Sequence, residues 1–247
     1  MFLTKPSLLI DALLSVAYPH ACRLCGKNVE SRAFGVVCSE CWKLTRLFSE
    51  LDPICWKCGG LLPGRTFVDP VDLRCRTCEL QSFTAARSCG LYEKALRQSV
   101  LELKRRPNLA SYLRSLLQNI ATQSPLNQAT RIIPVPLHRR RQRDRGFNQA
   151  AVIARSVSAA LKVPIDKESL VRSQFSEKHR AGLDAQGRRD TVVNAFVITN
   201  QRLIQNERIL LIDDVLTTGA TASSCASALA DAGAGSVYVL TIARSRL

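Results

Sequence analysis

Eight of the ten cysteines in the chain stand in four CxxC pairs: Cys22/Cys25, Cys38/Cys41, Cys55/Cys58 and Cys75/Cys78. Two residues between thiols let both sulfurs of a pair face one tetrahedral ion, a spacing that disulfide frameworks do not require. Gly26 and Gly59 follow directly on Cys25 and Cys58, where the chain must fold back so that amides point at sulfur. Cys25 and Cys38 enclose 12 residues and Cys58 and Cys75 enclose 16, the pattern of two four-cysteine sites in tandem. Cross-braced pairing of alternate pairs, or one site without its metal, satisfies the same spacing. Four thiolates close the shell of a zinc ion and leave no position for water or substrate, so one or two structural zinc ions are expected rather than catalytic ones. Such ions hold together a segment too small to build its own core. Lys27, Arg32, Lys43, Arg46, Lys57 and Arg65 would also suit a nucleic-acid-binding ribbon, although charges scattered in this way more often serve solubility. Cys89 and Cys225 stand apart from the pairs and read as buried structural thiols.

The chain has 247 residues, 46% of them hydrophobic, which excludes intrinsic disorder and fibrous architectures. The length suits one large domain, or one domain and a small module. The expected division is a zinc-binding module with an N-terminal helix over 1–82 and an α/β domain over 83–247. Lys and Arg number 35 against 20 Asp and Glu, a net charge of +15 that favours polyanionic partners, nucleic acid or phosphorylated small molecules. The most apolar run, Ser7–Tyr18, is broken by Asp11 and is too short to span a bilayer. With no good cleavage site after it, the run reads as an amphipathic helix, and a cytoplasmic protein without a membrane span is expected.

Past Cys78 the texture changes to apolar strands alternating with amphipathic helices. Helices are predicted over Ala95–Arg105, Leu109–Ala121, Gly146–Leu161 and Ala220–Ala232. Strands are predicted at Arg131–Pro136, Val163–Ile165, Ala195–Thr199, Arg208–Val215 and Ser236–Ala243. This order predicts a mainly parallel sheet with helices on both faces. The polar stretch Gln174–Asp190 is long for a connection and reads as a loop, with His179 an ordinary surface histidine.

The segment Arg208–Thr221, RILLIDDVLTTGAT, carries the chemistry. A buried strand, Ile209–Ile212, delivers Asp213 and Asp214 to the carboxyl edge of the sheet, where ligands bind in open α/β folds. Thr217, Thr218, Gly219, Ala220 and Thr221 then turn into a helix, so hydroxyls and backbone N–H groups gather at its N-terminus, an anion site. Carboxylates beside a phosphate cradle imply a sugar phosphate. A plain strand end with a Thr-capped helix would account for one Asp or one Thr, but not for the string. No GxxxxGK[ST] or GxGxxG is present.

This segment resembles the phosphoribosyl pyrophosphate (PRPP) motif of the type I phosphoribosyltransferases. The combination of CxxC pairs, PVPLHRRRQRDRGFNQA at Pro134–Ala150, the PRPP motif and TIARS at Thr241–Ser245 is similar to the ComF family of competence proteins. The resemblance implies a type I phosphoribosyltransferase-like sheet and a site in which Asp213 and Asp214 take the ribose hydroxyls. Thr217–Thr221 would hold the 5′-phosphate, Mg²⁺ would accompany PRPP, and Pro136–Arg139 would lie near a pyrophosphate loop. By family, the role would be in natural transformation, with incoming single-stranded DNA and components of the DNA-uptake machinery as partners. At His179/Arg180 and at Thr191 the chain departs from residues usual in the family.

Arg139, Arg140, Arg141, Arg143 and Arg145 place five guanidinium groups within seven positions. They suit a departing pyrophosphate, whose charge needs neutralising. They equally suit a phosphodiester backbone with Phe147 stacking on a base, or a solvated charged loop. Two other functions fit the same residues: a salvage enzyme that phosphoribosylates a nucleobase, and a noncatalytic nucleic-acid adaptor.

Overall fold

The computed structural model describes residues 20–62, 73–172 and 195–246. The apolar run Ser7–Tyr18, the stretch Gln174–Asp190 with His179 and Arg180, and Thr191 lie outside the described residues. Helices α1 (Ser39–Lys43), α2 (Lys94–Leu103), α3 (Ser111–Ala121), α4 (Arg139–Arg145), α5 (Gln149–Leu161) and α6 (Ala220–Asp231) accompany six strands. These are β1 (Ala85–Ser88), β2 (Arg131–Pro134), β3 (Leu170–Arg172), β4 (Phe196–Ile198), β5 (Arg208–Leu216) and β6 (Ser236–Arg244).

The main sheet has four strands in the order β1-β6-β5-β2, all parallel. A parallel sheet must be covered on both faces, and the alternation along β5 shows how. Leu210 and Ile212 pack with Ile132, Leu240 and Ile242 against α2, α3 and α5. Ile209 and Leu211 pack with Ile133, Val237 and Val239 against α6 and the β3–β4 pair. The cysteines divide in the same way: Cys22, Cys38 and Cys41 join the first core, and Cys55, Cys58 and Cys78 the second. Cys89 and Cys225 are both buried, as expected. No helix among the described residues is long and apolar enough to cross a membrane.

Three local expectations are corrected. The strand expected at Val163–Ile165 is a single parallel bridge from Ile165 to Ile132, since Pro164 has no N–H to extend a ladder. The strand expected at Ala195–Thr199 does not join the main sheet; β4 pairs antiparallel with β3 as a separate two-stranded sheet. The arginine run, for which a solvated charged loop is one of three readings, is helical. Residues 139–145 form a helix whose first turn is capped by the His138 ring, which accepts from the Arg140 N–H at 3.2 Å, and which ends at Gly146 with φ of +73°.

Candidate functional site

Each cysteine cluster gathers two consecutive CxxC pairs: Cys22, Cys25, Cys38 and Cys41 in one, Cys55, Cys58, Cys75 and Cys78 in the other. This is the tandem arrangement, not the cross-braced one. Within each cluster the four sulfurs lie within 4.8 Å of one another. The Cys25–Cys38 separation is 3.6 Å, and Cys55–Cys78 and Cys58–Cys75 are each 3.5 Å. Four sulfurs at about 2.3 Å from a tetrahedral zinc would stand about 3.8 Å apart, so both donor sets fit that ion. The surroundings differ. Cys25 is exposed, whereas Cys55 is fully buried and two guanidiniums, one buried and one half-buried, face the second cluster. Arg244 is one, its Nη2 3.3 Å from Cys58 Sγ. Arg87 is the other, its charge facing Cys55 and Cys58 while its Nη1 donates to the Trp56 carbonyl at 2.7 Å.

At the carboxyl edge of the sheet, β5 carries Asp213 opposite Thr241 of β6. Adjacent strand residues point to opposite faces, and the two carboxylates have different company. Asp214 is buried on the α2/α5 side. Its Oδ2 pairs with Lys104 Nζ at 2.9 Å and accepts from Gln149 Nε2 at 3.4 Å. Gln149 is held in turn by Arg145, whose Nη1 donates to its Oε1 at 2.8 Å. Asp213, on the α6 side, accepts the Asp214 backbone N–H at 2.8 Å. Burial, with the Asp214 charge beside it, pushes the Asp213 carboxyl up to about 7.

After Leu216 the chain enters the loop Thr217–Thr221. Thr217, Thr218, Ala220 and Thr221 are exposed, and Gly219 stands at the N-cap of α6 with φ of +82°. That left-handed conformation is one in which glycine has no Cβ to clash. The N-cap residue is therefore Gly219, with Thr218 Oγ1 accepting the Ala220 N–H at 3.4 Å, and the next N–H groups at the start of a twelve-residue helix lie beside exposed hydroxyls.

In α4, Arg140, Arg141 and Arg143 are exposed and make no ion pair with another described residue. Arg139 opens the helix. Arg145 turns inward to Gln149 instead. Phe147 packs against the core, and Asn148 caps α5: its Oδ1 accepts from Ala150 N at 2.9 Å and its Nδ2 donates to the Val135 carbonyl at 3.0 Å. The structure thus brings Asp213, Asp214, the Thr217–Thr221 loop and, through Arg145 and Gln149, the base of the arginine helix to one edge of the sheet. Sequence reasoning missed Lys104, which nothing in LKRRP marks out, and Gln149, although it stands within the RGFNQ string.

The parallel four-stranded sheet with its flanking helices resembles the type I phosphoribosyltransferases, and two four-cysteine clusters precede it. The chain is 30% identical over 238 residues to the DNA utilization protein YhgH of Escherichia coli O157:H7, covering 92% of this chain and 98% of the relative. It belongs to the ComF/YhgH family. Competence protein F of Haemophilus influenzae is 28% identical over 233 residues, 91% of this chain and 96% of that one. Competence protein ComFC of Bacillus subtilis is 26% identical over 223 residues, 83% and 89%. No family model matches the chain.

Among solved structures, a glutamine PRPP amidotransferase from B. subtilis is similar at 18% identity and a TM-score of 0.40, over 57% of this chain and 30% of that one. An adenine phosphoribosyltransferase from Leishmania tarentolae is similar at 22% identity and a TM-score of 0.32, over 59% and 57%. The chain spans less than a third of the amidotransferase and just over half of the second enzyme.

Proposed function

We propose that the edge of the sheet at Asp213–Thr221 binds PRPP or a closely related sugar phosphate with Mg²⁺, in a protein that serves DNA uptake or utilisation. The observation that carries the reading is the placement of two carboxylates directly before an exposed hydroxyl-rich loop that opens into a helix N-terminus. In this reading Asp213 and Asp214 accept from the ribose hydroxyls, and Thr217, Thr218, Gly219, Ala220 and Thr221 hold the 5′-phosphate. Lys104 orients Asp214 through their ion pair, and the Arg145–Gln149 pair fixes its other side. The cysteine clusters hold structural zinc, one ion in each.

Among the described residues, three or more metal-ligating side chains gather only in the cysteine clusters. Two carboxylates suit a Mg²⁺ that is bound mainly through substrate phosphates, and such an ion would neutralise charge on the pyrophosphate. Arg140, Arg141 and Arg143 would serve anionic groups beyond the ribose. Transfer to an acceptor is a further step; base-dependent pyrophosphate release would identify the salvage reaction.

A second reading has its own observation, the three exposed guanidiniums of α4 that make no ion pair with another described residue. They would contact a phosphodiester backbone, as the names of the curated relatives suggest for DNA. Single-strand binding should then fall steeply with salt, survive substitution of the acidic pair, and be lost in Arg139→Ala/Arg140→Ala/Arg141→Ala.

The Asp213 carboxyl supplies a test of the sugar-phosphate reading. Because its folded-state value is about 7, against about 4 in the unfolded chain, the folded protein holds a proton over that interval which the unfolded chain has released. Its contribution to stability is therefore greatest at low pH and falls as pH rises from about 4 to about 7. Ribose hydroxyls donate best to an ionised carboxylate, so ligand binding expels this proton. PRPP affinity measured with excess Mg²⁺ should rise about tenfold or less between pH 6 and pH 8, with proton release detectable by calorimetry in buffers of different ionisation enthalpy. Asp213→Asn should remove that share of the rise; an unaltered pH profile in the variant would contradict the assignment.

A further inference from the structure

The second cysteine cluster touches the phosphate-type loop directly. Gln81 lies three residues beyond Cys78, and its backbone N–H donates to the Cys78 carbonyl at 3.1 Å, so its position is fixed by a cluster residue. Its side-chain Nε2 then donates to the Thr218 carbonyl at 3.1 Å. The next residue repeats the join: Ser82 N–H donates to Ser223 Oγ at 2.9 Å, in the first turn of α6. At Gly219, a Cβ would stand 3.0 Å from Gln81 Oε1, so this amide packs against the loop at its tightest point.

The other wall of the same place is Arg244, the guanidinium on Cys58 Sγ. Gly60 lets it in, since a Cβ there would lie 2.9 Å from Arg244 Nε. Cys58, Cys78, Gln81, Phe83, Thr218, Gly219 and Arg244 enclose a cavity of about 20 Å³, room for a single water. Gln81 Oε1 and Arg244 Nε are both buried and have no hydrogen-bond partner among the described residues.

We propose that the second four-cysteine cluster is a working part of the phosphate site. Its bound metal fixes the turn from Cys78 to Ser82, and Gln81 is the positioning residue that carries this order into Thr217–Thr221. A short exposed loop keeps little order of its own, so a clasp from outside the strand–helix unit sets how far its N–H groups are prearranged for an anion. The consequence for ligand affinity rests on the sugar-phosphate reading above. The consequence for loop order does not, and zinc loss or thiol oxidation at this cluster would be felt at the loop before the fold is lost.

Hydrogen–deuterium exchange of residues 217–224 in the full zinc-loaded chain tests this without any ligand. Gln81→Ala, which removes no metal ligand, should speed exchange there about five- to tenfold, the loss of one hydrogen bond, with the zinc content unchanged. Cys75→Ser, at the least buried thiol of the cluster, should do the same while losing one zinc. PRPP affinity should fall by a similar factor in both. Unchanged exchange in Gln81→Ala overturns the proposal even if Cys75→Ser fails to fold. Faster exchange in Gln81→Ala without PRPP binding by the unsubstituted protein would support the clasp and reject the sugar-phosphate reading. PRPP binding by the unsubstituted protein, with exchange and affinity unmoved by Gln81→Ala, would reject the clasp alone.

Discussion

At the proposed site, Asp213→Asn/Asp214→Asn should abolish sugar-phosphate binding and leave the sheet folded. Each carboxylate is assigned a charge-assisted hydrogen bond from a ribose hydroxyl, and such bonds contribute about 1.5–3 kcal/mol each. Losing both lowers affinity by roughly 10²- to 10⁴-fold. The effect on the fold is small because two changes oppose one another. Asp213→Asn removes a carboxyl held up at about 7 by burial and by the neighbouring charge, which favours the folded state at neutral pH. Asp214→Asn takes the partner from Lys104, whose side chain is 31% exposed and turns to water at small cost. Thermal midpoints within about 4 °C of the unsubstituted protein, with binding lost by calorimetry, are the expected pair of results. Retained affinity in the double variant would show that these carboxylates do not hold the ligand.

Cys55→Ala should destabilise the fold far more than Cys25→Ala, which should give a folded protein that has lost one zinc. Structural zinc in small motifs is bound with about 10–16 kcal/mol of apparent free energy at neutral pH, and total stabilities lie near 5–15 kcal/mol. A buried zinc site can therefore supply a large share of what holds the domain. Cys55 is fully buried in the core that also holds Phe83, Ala86 and Leu211. Arg87 and Arg244 stand against its cluster, and without the metal-bound thiolates these half-buried and buried charges lose their counterpart. Cys25 is exposed, on the rim of a cluster that opens to water, so its loss strands no comparable buried charge. Soluble yield, circular dichroism and zinc counting separate the two variants. A folded Cys55→Ala with two zinc ions would contradict the account.

Much of this architecture is legible in the residues themselves. The CxxC spacing announces two four-sulfur sites, and ILLIDD announces a buried strand ending in acids, because both patterns are local. Their partners are not legible. Lys104 reaches Asp214 only because α2 ends beside β5, and Gln81 reaches Thr218 across 137 positions of sequence. β1, with the sequence AARS, has little strand propensity and is a strand because β6 lies beside it. The arginine run looks like a loop by charge alone. His138 at one end and Gly146 at the other supply the cap and the stop that make it a helix.

The arginine helix also illustrates what position adds to composition. Five guanidiniums in seven residues suggest one anion-binding surface, but Arg145 belongs to the hydrogen-bond chain behind Asp214 and Phe147 belongs to the core. Arg140, Arg141 and Arg143 face solvent, a smaller patch on the helix whose last turn joins that chain.

Calorimetric titration of the zinc-loaded protein with PRPP, with and without Mg²⁺, tests the central claim most directly. Saturable binding at one site per chain that requires Mg²⁺ is the predicted result. Absence of binding in both conditions, from a protein carrying its full zinc complement, would contradict it.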